Sequence, residues 1–477
     1  MPTTAILSAI VFAVFAAGMT LPAAAAVIEG NWRVFEAIVL VAALYAFVSS
    51  ITIMALRSRA RTLNRAGIFA AAVVVWLSLV AAATPVFVLL EGQGLVPALF
   101  EASSAAVTLG VALKPPQDIS VAMGVYRATV AWLGGLLTLL LAVYVMGPYQ
   151  VGGTPNAQLR LVQHARTETD PRIWRTFTAV LWPYAALTAL CALILVILRV
   201  PPDIAVPLSL GLLSTSGFVP HESGASVLTN TGAELVMMVF MVIGATSIVW
   251  HRMIVARRWS MAREQTEGTL FLTSFAALLA IVLLVSLFIP HPTFEGWRKS
   301  FSFAFDTVSI LTTTGITHDS RVGVVLPLEV ILLIIFMGGC SYSTAGGIKF
   351  FRIATMLQHL ANELNRLVYP SALLRDDVQY DERPREIAKA VWSTFFLAIL
   401  TLTVSVLLFA AQGLELPQAA ALASGSFAQV GNVVASALPA PGTAPVPDSM
   451  LLSISAVALV ARIEILVVLA ALTGNRR

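Results

Sequence analysis

Charge is scarce in this chain. Only 11% of its 477 residues are Asp, Glu, Lys or Arg, while 58% are hydrophobic. That balance excludes an ordinary soluble domain and predicts a polytopic helical membrane protein. Cysteine is nearly absent. Cys191 and Cys340 both sit in apolar stretches, which excludes a disulfide framework and a cysteine metal site. His221, His291 and His318 lie in loops without metal-ligand spacing. No Ser/His/Asp set and no paired carboxylates stand out, so no enzyme is expected. Long Gly/Ser linkers and low-complexity tracts are missing too, so one integrated bundle is expected. The first apolar segment, Thr4 to Val27, lacks the basic leader of a signal peptide and is read as a retained helix.

What the chain does have is apolar runs. Ten are long enough to cross about 30 Å of hydrocarbon: 4–27, 35–56, 67–90, 123–147, 176–199, 232–254, 269–290, 324–350, 388–411 and 448–472. Four shorter ones, at 96–107, 203–214, 299–312 and 416–428, are too short to cross and read as re-entrant helices. Lys and Arg set the orientation. With both ends on one side, 21 of the 29 fall in the loops of that side, including Arg57, Arg59, Arg61 and Arg65. Both termini are therefore expected in the cytoplasm. The net charge of +4 is then topological, and a nucleic-acid partner is not expected.

Each short run ends in a turn around a glycine: AAVTLGVA at Gly110, LLSTSGFV at Gly217, SILTTTGIT at Gly315 and FAQVGNVV at Gly431. The turns are spaced by 107, 98 and 116 residues, an internal repeat. Backbone at membrane depth must be hydrogen-bonded or must line a cavity. Carbonyls gathered at a Thr/Gly turn can replace the hydration shell of an alkali cation. Helix carboxyl ends aimed at the same path add negative potential. The expected fold is all-α. It has ten transmembrane helices, the last eight in four helix–pore loop–helix repeats around a pseudo-fourfold pore. The expected parts are an extra amino-terminal helix pair (1–66) and repeats at 67–150, 151–262, 263–370 and 371–477.

The chain resembles the Trk/Ktr/HKT superfamily of potassium transporters, and within it the Trk type. The residues that carry this are TTTGIT at Thr312 to Thr317, GGCSYSTAGGIKFFR at Gly338 to Arg352, LFEASSAAVTLG, WLGGL at Trp132 to Leu136 and ARIEIL at Ala461 to Leu466. The extra helix pair favours the Trk type. The resemblance implies a potassium filter built from Thr108, Leu109 and Gly110; Thr215, Ser216 and Gly217; Thr313, Thr314 and Gly315; and Gln429, Val430 and Gly431. It implies a gate at Gly338, Gly339, Ser341, Ser343, Thr344, Gly346 and Gly347, with Arg462 projecting into the pore beside it. Lys349 reads equally as a gate partner or a positive-inside anchor. The gate segment could also be a small-residue packing face. It is not a phosphate loop, because no Gly-Lys-Ser/Thr follows.

The potassium ion is the only cofactor implied, with no organic one. Implied partners are a second copy in a homodimer, membrane lipid, and a cytoplasmic nucleotide-binding ring of RCK type. Loops 148–175 and 350–388 are its docking candidates. The implied location is the bacterial cytoplasmic membrane. Glycine at the first turn leans toward potassium over sodium. The sequences Val-Thr-Leu-Gly-Val and Gln-Val-Gly-Asn-Val-Val depart from the family pattern and leave weaker selectivity open. Proton- or sodium-coupled symport is the alternative. Asp306, Glu101 and Glu234 could suggest a proton relay, although attraction of cations or capping suits Asp306 and Glu101 better. A membrane enzyme or scaffold using the STAGG loop is a further reading that lacks a catalytic group.

Overall fold

The computed structural model describes residues 2–155, 172–219, 230–257, 266–290, 294–318, 326–368 and 384–473. His221 and His291 lie outside them, as do most of the loops at 148–175 and 369–383. The described residues are helical, with no strand among them. Among the described residues, seven helices are long and apolar enough to cross a membrane, or nine if each of two bent pairs counts as one span.

The first helices are α1 (Pro2–Gly18), α2 (Thr20–Glu29) and α3 (Trp32–Leu56). Next come α4 (Arg65–Glu91), the short α5 (Leu95–Ala106) and α6 (Val121–Leu141). They are followed by α7 (Arg172–Ile197), short α8 (Pro202–Ser214), α9 (Thr231–Ala245) and α10 (Ile248–Val255). Then come α11 (Thr266–Ser286), short α12 (Gly296–Leu311), α13 (Leu328–Ile335) and α14 (Phe350–Val368). The last are α15 (Pro384–Ala411), short α16 (Leu416–Ala428), α17 (Gly431–Ala437), α18 (Asp448–Ile463) and α19 (Ile465–Thr473). The four short helices fall within a few residues of the four re-entrant runs expected from hydropathy.

Local chemistry fixes the helix starts. Asn31, Asn64, Ser120 and Asn230 each accept a backbone N–H from the first turn of the helix that follows. Inside the apolar helices, Thr129, Thr138, Ser209 and Thr307 donate to the carbonyl four residues back, so these hydroxyls are not left unpaired in an apolar setting. The outward faces carry exposed apolar side chains such as Leu40, Phe47, Leu193, Leu284 and Leu407. A hydrocarbon solvent accepts that surface and water does not.

Three expected spans are not straight helices. The 232–254 run bends by 104° between α9 and α10. The 448–472 run bends by 91° between α18 and α19, where Glu464 has φ of +78°. Arg462 thus stands in the last turn before a break and not within a continuous span. The 324–350 run is helical only over α13, after which Gly338 to Lys349 run without helix. Helix α6 is almost wholly buried at the centre of the molecule. Its WLGGL motif has a packing cause. A Cβ on Gly134 would collide with the carbonyl of Ala106 at the end of α5. One on Gly135 would stand 2.5 Å from the Tyr184 hydroxyl and 3.0 Å from Ser214 Cβ. Only glycine lets the short helices press against α6 this closely.

Candidate functional site

The four short helices end in the same way. Thr108, Thr215, Thr313 and Gln429, each two residues before a turn glycine, have φ of 64°, 54°, 56° and 58°. A non-glycine residue in this left-handed region costs about 1–2 kcal/mol. Its occurrence at all four equivalent places marks stored strain at one site. In each turn the next N–H returns to the carbonyl five residues back. Leu109 donates to Ser104 O at 2.8 Å and Ser216 to Gly211 O at 2.8 Å. Thr314 donates to Ser309 O at 2.9 Å and Val430 to Gly425 O at 2.8 Å.

The turns close on one another. A Cβ at Gly110 would lie 2.6 Å from Gly217 N, and one at Gly217 would lie 2.7 Å from Gly315 O. One at Gly315 would lie 2.6 Å from Gly431 N, and one at Gly431 would collide with Leu109 O. The four glycines therefore form a closed ring of neighbours with no room for a side chain. This ring carries polar atoms without partners. The carbonyls of Thr108, Leu109, Thr215, Ser216, Thr313, Thr314 and Gln429 accept no hydrogen bond from the described residues, although all seven residues are buried. The hydroxyls of Thr108 and Ser216 and both polar atoms of the Asn432 amide are buried and unpaired as well. Buried carbonyls are almost always satisfied in proteins. Here they occur on four turns that close on one another, and oxygens left free are the chemistry a dehydrated cation requires.

The ring is not four-fold in its supports. Gly110 and Gly315 both have φ of +77°, a conformation closed to other residues without strain, while Gly217 and Gly431 do not. Nine residues before those two glycines stand Glu101 and Asp306. Each accepts the backbone N–H three residues after its glycine, Leu113 and His318 respectively, at 2.8 Å. The equivalent positions before Gly217 and Gly431 are Leu208 and Leu422, both fully buried. Both acids thus cap the segment that leaves the turn. Ser104 and Ser309 also tie the strand leaving the turn, through Val111 O and Ile316 N.

Behind the ring lie two buried polar clusters whose pairing sequence reasoning missed. Arg127 on α6 pairs with Glu101, and with Glu91 at 2.9 Å, and its guanidinium stands 4.8 Å from the Phe87 ring and 5.8 Å from the Phe218 ring. It thereby joins the first turn to the residue after Gly217. His318, to which no role was assigned, is buried among Phe294, Phe301 and Phe305 and meets Glu234 at 3.2 Å. Arg127 and Glu234 each stand seventeen residues after a turn glycine. That shared offset was the available signal.

The non-helical stretch Gly338 to Lys349 lies against one face of the ring. The Gly346 N–H donates to Thr313 Oγ1 at 2.7 Å, and a Cβ there would collide with Ala428 O and Gln429 Oε1. The Thr344 hydroxyl reaches Leu213 O at 2.8 Å and Gly244 O at 3.0 Å. Gly338 is pinned by Ile348 O at 2.9 Å, and Phe350 N closes on Gly339 O at 3.0 Å. Ser343 folds back on Cys340 O. Gly347 has φ of +68°. Lys349 Nζ donates to Ala345 O at 2.6 Å and Ser343 O at 3.3 Å, so its contacts are with the loop.

A further contact was not foreseen. The Glu267 carboxylate, at the start of α11, accepts Ser341 N at 2.6 Å and Ser341 Oγ at 3.0 Å. Arg462 is 4% exposed, and its Nε and Nη2 have no partner. Glu464 does not neutralise it, because that acid pairs with Arg352 at 3.0 Å. Two guanidinium nitrogens of Arg462 thus stand buried and uncompensated.

Fold and site together define a polytopic helical membrane protein with a ring of re-entrant turns and a non-helical loop packed against it. The crystal structure of the potassium transporter TrkH from Vibrio parahaemolyticus superposes with a TM-score of 0.84 at 25% identity, over 100% of this chain and 99% of that one. The Trk system potassium uptake protein TrkH of Halomonas elongata is 31% identical over 309 residues, and the match spans 64% of this chain and 63% of the relative's length. The Vibrio parahaemolyticus protein of the same name is 29% identical over 327 residues, 67% of each chain. No family model matches the sequence. In sequence and in fold the chain is similar to the Trk-type potassium transporter TrkH.

Proposed function

We propose that the chain takes up potassium through the ring, with the Gly338–Gly347 loop as its gate. The observation that carries this is the set of buried, unbonded carbonyls on four turns that close on one another. A potassium ion gives up its water only where oxygens replace it at low energetic cost, and preorganised carbonyls do so. In this reading the ten apolar runs are ten spans, two of them bent and one interrupted by the loop. The last eight form four repeats, at 67–150, 151–262, 263–370 and 371–477, around a pseudo-fourfold axis. The filter is Thr108 to Gly110, Thr215 to Gly217, Thr313 to Gly315 and Gln429 to Gly431.

The gate loop obstructs the path where Gly346 meets Thr313. Arg462 adds a positive barrier, because an unpaired cation in a low-dielectric passage repels another, and Lys349 holds the loop through Ala345 O and Ser343 O. Potassium is the cargo, and no organic cofactor enters the scheme. The arginine-rich ends face the cytoplasm of a bacterial inner membrane. There a nucleotide-binding RCK-type ring docks on the loops at 148–175 and 350–388 and moves the gate, and the working unit is a homodimer. Symport driven by Asp306 is disfavoured, because that carboxylate is engaged in capping His318 N.

Cation flux into proteoliposomes at fixed voltage tests the proposal. Wild type and Gly315→Ser are compared for potassium, rubidium, sodium and lithium. Potassium and rubidium flux that the substitution alters supports the filter. No alkali-cation flux, even with residues 341–346 deleted, overturns it.

A further inference from the structure

A cavity of about 680 Å³ opens between α1, α4, α6 and the start of α7. Leu7, Val11, Ala72, Trp76, Leu137 and Tyr144 are among its lining residues, and the walls are almost wholly apolar. Along α4 it runs from Ile68 to Leu79, a helical rise of roughly 16 Å. One leaflet of a bilayer is about 15 Å of hydrocarbon. The cavity is thus as long as one acyl chain is deep.

One end of it is basic. Leu63 and Ile68, on either side of Arg65, line the cavity at that end. Arg57, Arg59 and Arg61 lie on the same segment, which the Thr3 hydroxyl holds against α1 through Arg61 O at 2.7 Å. Arg65 is held in place by Tyr149 O at 3.3 Å and by the faces of Phe69 and Tyr149. No acidic residue occurs between Glu36 and Glu91. None of the four arginines pairs with a carboxylate among the described residues. A second helix laid in this cavity leaves those charges uncompensated, whereas an anionic headgroup neutralises them.

We infer that the cavity holds one acyl chain of an anionic glycerophospholipid from the leaflet on the arginine-rich face, its phosphate met by Arg65 and its neighbours. The site fixes the extra amino-terminal helices to α4 and α6 through lipid. The inference rests on the arginine-rich helix ends lying at one membrane surface. It does not depend on what the ring conducts.

Trp76 is a built-in reporter, because it lines the cavity. The full-length protein is reconstituted with phosphatidylglycerol or phosphatidylcholine carrying the same brominated acyl chains. The Trp76 component is the difference between wild type and Trp76→Phe fluorescence. Bromine quenching of that component is expected to favour phosphatidylglycerol about five-fold for each arginine engaged. The preference is expected to disappear when Arg57, Arg59, Arg61 and Arg65 are all changed to Gln. Ala72→Phe fills the cavity and is expected to remove the Trp76 quenching with the arginines intact. Equal quenching by the two lipids in wild type overturns the anionic site. Absence of Trp76 quenching by either lipid overturns the lipid itself, and means that protein covers the cavity. Ion flux is measured on the same vesicles. Normal potassium flux without lipid preference defeats this inference and leaves the pore reading standing.

Discussion

In the proposed gate, Glu267 and Arg462 both keep the path closed, by different means. Glu267 gives a carboxylate to a buried N–H and a buried hydroxyl of Ser341. Leaving such donors unpaired costs about 1–3 kcal/mol. Glu267→Ala is therefore expected to loosen the loop and raise potassium flux in the absence of any regulatory subunit, by about five-fold or more. Proteoliposome flux checks this, and unchanged flux means that the contact is only structural. Arg462 offers an unpaired charge instead. Arg462→Ala removes a repulsive centre and is expected to raise flux, whereas Arg462→Lys is expected to keep it low. Sequence alone marked Arg462, because an arginine inside an apolar run is costly and stands out. It could not mark Glu267. An acid in the first turn of a helix is ordinary, and only folding brings Ser341 to it.

The turns are the element where sequence carried furthest. A short apolar run followed by a Thr/Ser/Gly turn recurs four times, and the short helices fall where hydropathy placed them. Left-handed φ at the residue two before each glycine was not visible, because threonine and glutamine do not prefer it. Nor was the alternation of supports. Glu101 and Asp306 were legible as candidate caps, but their shared offset from Gly110 and Gly315 gained meaning only with the bonds to Leu113 and His318.

The alternation makes a prediction. Asp306→Asn keeps an acceptor for the His318 N–H, whereas Asp306→Leu removes it. The first is expected to preserve potassium-over-sodium discrimination, and the second to reduce it several-fold. Bi-ionic reversal potentials measure both. Equal behaviour of the two variants contradicts a capping role. The break at Gly338 to Gly347 was legible in its glycines and hydroxyl residues; the other two broken helices were read as straight spans, because hydropathy counts apolar residues and is blind to a bend at Glu464 or between α9 and α10.

Across the molecule, the ring is held by buried polar contacts that join successive turns. Arg127 links Glu101 and Glu91 to the Phe218 ring, and Glu234 reaches His318. Removing one partner of a buried pair costs about 3–5 kcal/mol, because the other charge stays behind. Arg127→Leu is expected to lower the melting temperature of the detergent-solubilised protein by several degrees. The double change with Glu101→Leu is expected to recover part of the loss. A single variant as stable as wild type contradicts the role given to the pair.

All of these supports serve one claim, that the carbonyls of the ring cage a cation. The most direct measurement is anomalous diffraction from crystals grown in rubidium or thallium salts. The account predicts density on the axis between Gly110, Gly217, Gly315 and Gly431, flanked by the carbonyls of Thr108, Thr215, Thr313 and Gln429. Full anomalous signal at other sites with none between those four glycines would contradict it.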